Sequence, residues 1–200
     1  MPLAHNIDSQ MVAPPSYDKL IDEVADALAT HYQQWAAEHS TDDIYAYVVY
    51  ATSLVSTIAV SVLTEQGLKQ VASDYKNKHG YDEPLDQLER DLRWSVADTP
   101  YCGDIQEAFE SVNERLQSMM AYVDTLEVDD PAFSTHIDTL YNILVSALHK
   151  LRHTKLKDSA WPMLYVDFGD MSDDERLWFI EQCNDPEVVA WYCSSLESAG

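Results

Sequence analysis

His149 and His153 stand four residues apart, a spacing that on a helix turns both imidazoles to one face, as in the HExxH zinc motif. The glutamate position of that motif holds Lys150, and Lys150, Arg152, Lys155 and Lys157 crowd the same stretch. Positive neighbours disfavour a divalent cation. The segment reads instead as a helix end whose basic residues complement the dipole and offer a small basic patch. A second concentration, Asp167, Asp170, Asp173, Asp174 and Glu175, could supply oxygen ligands to Mg²⁺ or Ca²⁺. As an EF-hand loop begun at Asp167 it fails, because Gly169 and Met171 occupy ligand positions. Asp167-Phe168-Gly169 has the letters of the kinase metal-binding tripeptide, but the glycine loop, the VAIK lysine and the HRD loop that give it meaning are absent. Asp173, Asp174 and Glu175 read as decoration of the positive end of a helix dipole.

Other chemistries fail on spacing. Glycines occur only at 67, 80, 103, 169 and 200, so neither GxGxxG nor GxxxxGK[ST] exists to cradle a phosphate. The GxSxG elbow of a serine hydrolase is also missing. Cys102, Cys183 and Cys193 form no CxxC pair and read as reduced thiols of a cytoplasmic protein. No catalytic residue, metal ligand or cofactor-binding residue is assigned, and no cofactor is expected.

The elements that carry these residues follow from periodicity. Leu20, Ile21, Val24, Leu28, Tyr32 and Trp35 make one apolar stripe, predicting a helix over Tyr17 to Ala37 behind Ser16 as N-cap. Ile44 to Thr64 runs 21 residues without a charge, yet six are Ser or Thr, the flanks are acidic, and Val55 to Val62 alternates. A β-hairpin fits better than a membrane span. Its first strand, Ile44 to Tyr50, is apolar on both faces and belongs at the centre of a sheet. A helix from near Thr64 ends at Gly80, and the acidic segment that follows, Asp82 to Asp91, lies on the surface. Arg93 to Val96 reads as a short strand, Asp104 to about Asp124 and Pro131 to about Lys155 as long helices, and Trp161 to Phe168 as a strand. Ser172 to Glu175 is a capping box, and Asp185-Pro186 opens a last helix. Trp161, Trp178 and Trp191 are placed in the core or at its edge. The expected fold is α+β: a mostly antiparallel sheet with a central hairpin, covered by several long amphipathic helices. Residues 1–15 read as a mobile tail and 16–200 as one domain.

Net charge completes the reading. Asp and Glu number 35 against 12 Lys and Arg, leaving −23, while 46% of residues are hydrophobic, enough for a packed core. Such acidity turns the chain from nucleic acid and anionic membranes towards cationic surfaces.

Three places, Ile44-Tyr45-Ala46-Tyr47 after a long helix, Arg93-Trp94-Ser95, and Leu164-Tyr165-Val166-Asp167 before a capped helix, carry a resemblance. In that order they resemble the bacterial domain-of-unknown-function family 4303, over nearly the whole chain from about residue 16. The resemblance implies a small cytosolic domain, and some such families act as immunity proteins beside polymorphic toxins; it implies no catalytic residues. The expected function is an inhibitor that binds a cognate toxin with a cationic surface. The expected contact surface is Asp82, Glu83, Asp86 and Glu89, or Asp170, Asp173 and Asp174. A small enzyme with a convergent carboxylate and histidine site, and an acidic scaffold protein, are the alternatives. Oligomeric state is open.

Overall fold

The structure is a computed structural model and describes residues 12–155, 162–169 and 171–197. Most of the expected tail, together with Lys157, Trp161 and Asp170, lies outside the described residues.

Among the described residues, seven α-helices surround a three-stranded sheet. Strand β1, Ile44–Ala51, is central, and β2, Ile58–Thr64, pairs with it antiparallel as the hairpin pattern predicts. Val55, which opens the alternating stretch, sits in the connecting loop at φ 51°, fully buried. Strand β3, Met163–Phe168, adds to the other side of β1 in parallel register, Ala46 opposite Met163 through Ala51 opposite Phe168. The antiparallel expectation thus holds for the hairpin ladder, and β3 makes the sheet mixed. A parallel partner needs a long crossover, which the helical chain between β2 and β3 supplies.

Helix α1, Leu20–Glu38, starts three residues later than the apolar stripe predicts. Lys19 takes a left-handed φ of 64°, and the Ser16 and Asp18 carbonyls accept bonds from the Arg115 guanidinium at 3.0 and 2.7 Å instead of entering the helix. Ser16 is therefore not the N-cap. Its hydroxyl accepts from the Asp18 N–H. Helix α2, Glu65–Lys78, is capped by Thr64, whose hydroxyl accepts from Gly67 N–H at 2.9 Å. Gly67 is needed there because a Cβ would stand about 3.0 Å from the Thr64 hydroxyl and 3.1 Å from the Pro100 ring.

The acidic segment forms a further helix, α3, Leu85–Leu92, packed on α2 through Leu88. The strand expected at Arg93 to Val96 is not formed. Arg93 caps α3, its guanidinium grips both Glu65 oxygens at 2.8 and 3.0 Å, and its carbonyl accepts the Tyr45 hydroxyl at 2.5 Å. The outer edge of β2 goes instead to residues 99–103: Thr99 donates to Val62 O, Val62 N–H donates to Tyr101 O, and Gly103 N–H donates to Val60 O.

A 3₁₀ turn, Gln106–Phe109, leads into α4, Glu110–Val123, and Asp130 caps α5, Pro131–Lys150, which loosens into a π turn at Leu151–Lys155. The capping box forms as expected and starts α6, Asp173–Cys183; α7 is Pro186–Glu197. Because side chains alternate along a strand, the register puts Tyr47, Val49, Val60, Val62, Leu164 and Val166 on one face, all fully buried. Tyr47 on this face reaches α1, where its hydroxyl meets Leu28 O and His31 Nδ1. Tyr165 and Asp167 share the other face, where α6 meets them through Arg176. No described helix is long and apolar enough to cross a membrane.

Candidate functional site

Charge does not gather at one place. Asp82, Glu83 and Asp86 are exposed on and before α3, with Glu89 half-buried. Asp86 pairs with Arg90 at 3.1 Å across one turn, and that bond holds its carboxyl below the usual range. Asp173 and Asp174 are exposed in the first turn of α6; Asp173 pairs with Arg176 at 3.1 Å. Helix α3 joins the sheet at Tyr45, near the start of β1, whereas α6 follows Phe168, which pairs with Ala51 at its end. The two acidic surfaces therefore lie towards opposite ends of the central strand and do not form one site. Asp170, assigned to the second surface, is outside the described residues.

The acid that opens the 167–175 series is internal. Asp167 is 3% exposed, and Arg176 Nε donates to its Oδ2 at 2.8 Å. Burial pushes the Asp167 carboxyl above its ordinary value, and Arg176 only partly offsets that. Burial works against the Arg176 charge too, yet there the carboxylate wins and the net direction is up. Asp167 is the deeper of the two and bears more of the desolvation, so its carboxyl stays above its ordinary value. Tyr165, fully buried on the same face, has a hydroxyl without a partner among the described residues. Asp167 is thus committed to the fold and unavailable to a metal.

The basic stretch is also largely committed. Lys150 pairs with Asp22 at 2.5 Å, Arg152 donates to Asn184 Oδ1 at 2.9 Å, and His149 Nε2 donates to Gln182 O at 2.5 Å. Among the described residues no three His, Cys, Asp or Glu stand where they could hold a metal ion. Trp178 and Trp191 lie at the edge of the core, 44% and 43% exposed.

Sequence reasoning missed a cleft of about 400 Å³ at the carboxyl ends of β1 and β3. Tyr50, Tyr141, Phe168, Phe179 and Met171 form its walls, and Ser53 and Glu175 its mouth. The rings are mutually packed: Tyr141 lies 4.9 Å from Phe168 and 5.7 Å from Phe179 between centroids, and its hydroxyl donates to Ser53 O at 3.1 Å. Gly169 leaves room for the Tyr50 hydroxyl, which stands 3.0 Å from where a Cβ would be. A second cleft of about 410 Å³, lined by Gln106, Asn113 and Gln117, shares Tyr50, Ala51 and Thr52 with the first.

Neither titratable group with a shift at the first cleft suits proton transfer at neutral pH. Hydrogen bonds from the Ser172 hydroxyl and N–H hold Glu175 below the usual carboxylate range. Burial, then the negative charges of Glu175 and Asp138, push the Tyr141 phenol up. The cleft thus sets one carboxylate, Glu175, beside a wall of aromatic rings.

Comparison with known protein families matches residues 24–190 to the family described as a domain of unknown function, DUF4303. No curated protein and no solved structure matches the chain.

Proposed function

The chain belongs to the DUF4303 family, and from that premise we propose that it is a binding protein, an immunity-type inhibitor that captures a cationic toxin domain in the cytoplasm through its acidic surface. The observation that carries the reading is the charge of −23 on a chain whose acids stand exposed at Asp82, Glu83 and Asp86 at one end and at Asp173 and Asp174 at the other; among the described residues, Asp86 and Asp173 pair with Arg90 and Arg176 and the other three carboxylates have no cationic partner. Toxins that act on nucleic acid present basic clefts, and an acidic partner approaches such a surface faster and in better register. The mode of capture is face or cleft docking rather than strand addition, since the β2 edge bonds to residues 99–103 and Asn113, and Leu164 on the β3 edge bonds to Asn184.

Co-expression with a toxin encoded beside it tests the reading. Growth should recover and the two proteins should co-purify without added metal or nucleotide. Recovery without a complex, with the toxin's product being consumed, would favour the enzyme alternative.

A further inference from the structure

The cleft at the ends of β1 and β3 has a chemistry of its own. Its walls are aromatic and its lining residues include no cation, only the Glu175 carboxylate. Glu175 gives Oε2 to the Ser172 hydroxyl and N–H, at 2.6 and 2.9 Å, and its Oε1 takes no bond among the described residues. Tyr50 has a hydroxyl that likewise makes none, directed at the cleft past Gly169. The volume of about 400 Å³ is within the range of sites that enclose a ligand group. Asp173 and Asp174 stand exposed in the same helical turn as Glu175, and the field of Glu175 and Asp138 reaches the Tyr141 hydroxyl. A negative potential over flat aromatic walls selects a weakly hydrated planar cation over a compact, strongly hydrated one.

We propose that this cleft seats an arginine side chain of the partner protein, its guanidinium against the rings of Tyr141 and Phe179 and facing the free oxygen of Glu175 and the hydroxyl of Tyr50. The proposal rests on the partner-binding reading and specifies where the anchor goes. The neighbouring cleft beyond Tyr50 and Thr52, with its neutral Gln106 and Gln117 amides, then receives the backbone flanking that arginine. Of the two acidic surfaces, the α6 turn is the centre of the interface and α3 its rim or outside it.

The test uses the full chain and three blocked tripeptides, Gly-Arg-Gly, Gly-Lys-Gly and Gly-citrulline-Gly, titrated while amide resonances are followed by NMR. The arginine peptide should shift Gly169 and Phe179 and bind about tenfold better than the citrulline peptide, the scale of one charge-assisted hydrogen bond. Lysine should fall between them. Glu175→Gln keeps an acceptor for the capping box, so the fold stays, and it should erase the preference for arginine over citrulline. Equal binding of arginine and citrulline, or shifts confined to α3, would overturn the proposal. A parallel measurement with the toxin separates the two levels. If wild type and E175Q capture the toxin equally, the cleft assignment falls and the inhibitor reading stands. If wild type captures no toxin yet holds the arginine peptide in the cleft, the inhibitor reading falls and the arginine seat remains.

Discussion

Asn184 holds β3 as Asn113 holds β2: each offers its side-chain amide to the N–H and C=O of one edge residue. Asn113 accepts from Ile58 N–H at 2.8 Å and donates to Ile58 O at 3.0 Å; Asn184 accepts from Leu164 N–H at 2.9 Å and donates to Leu164 O at 2.6 Å. A three-stranded sheet has two exposed edges, and an exposed edge invites pairing with another chain. Here residues 99–103 and Asn113 of α4 take up the β2 edge, and Asn184 at the end of α6 takes up Leu164 on the β3 edge.

Asn184→Leu should therefore cost about 3 kcal/mol, because Leu164 is fully buried and both of its backbone groups would lose their partner. Arg152 would lose its Asn184 contact as well. Urea unfolding measures the loss, and size-exclusion chromatography should show self-association as the edge opens. An unchanged midpoint would mean that Asn184 is not holding the strand.

Arg176→Met should leave Asp167 buried without its counter-charge, at a cost of about 3–5 kcal/mol at pH 7. The carboxyl already lies above its ordinary value in the folded state, and losing Arg176 raises it further. A raised folded pKa favours stability at low pH and loses it as pH rises through that value. The deficit of the variant relative to wild type should thus shrink as pH falls from 7 towards 4, and Asp167→Asn combined with R176M should remove the pH dependence of the deficit.

His31 is fully buried with both ring nitrogens engaged, by the Tyr47 hydroxyl at 2.9 Å and by Asp104 O at 3.2 Å. Burial lowers its pKa to about 4, with the Asp104 carbonyl opposing. Between pH 6.5 and about 4 the unfolded chain takes up a proton that the folded one refuses, so this group's contribution is present above 6.5 and lost as pH falls. At pH 5 the loss is about 2 kcal/mol. Unfolding free energies of wild type and His31→Gln at pH 7, 6 and 5 should diverge by that amount in slope. Parallel curves would show that His31 does not titrate as described.

Legibility in the sequence followed the range of the interaction. The hairpin and the Ser172 capping box are local patterns of period two or of fixed offset, and each formed where the residues stand. The start of α1 was not legible, because Arg115, 97 residues from Asp18, draws the carbonyl away. Arg93 to Val96 has strand-like residues, but the edge it would join is occupied by residues 99–103. The acids of α3 could be read as surface, though not the pairing of Asp86 with Arg90. The cleft is assembled from β1, α5, β3 and α6. Periodicity marks Tyr141 and Phe168 as inward-facing and says nothing about the space left between them.

The central claim is that exposed carboxylates guide a cationic protein onto this fold. Its most direct measurement is the association rate with the toxin across ionic strength, for wild type and two charge reversals, Asp82→Lys with Glu83→Lys and Asp86→Lys, and Asp173→Lys with Asp174→Lys. Exposed charges contribute little to folding, so both variants should stay folded, although the α6 reversal also weakens a helix start by about 0.3–1 kcal/mol per residue. The wild-type rate should fall steeply as salt rises, and the reversals should be slower at low salt and converge on it at high salt, with the α6 reversal the slower of the two. Three coincident curves, flat in salt, would contradict electrostatic capture and leave the charge of −23 to another purpose.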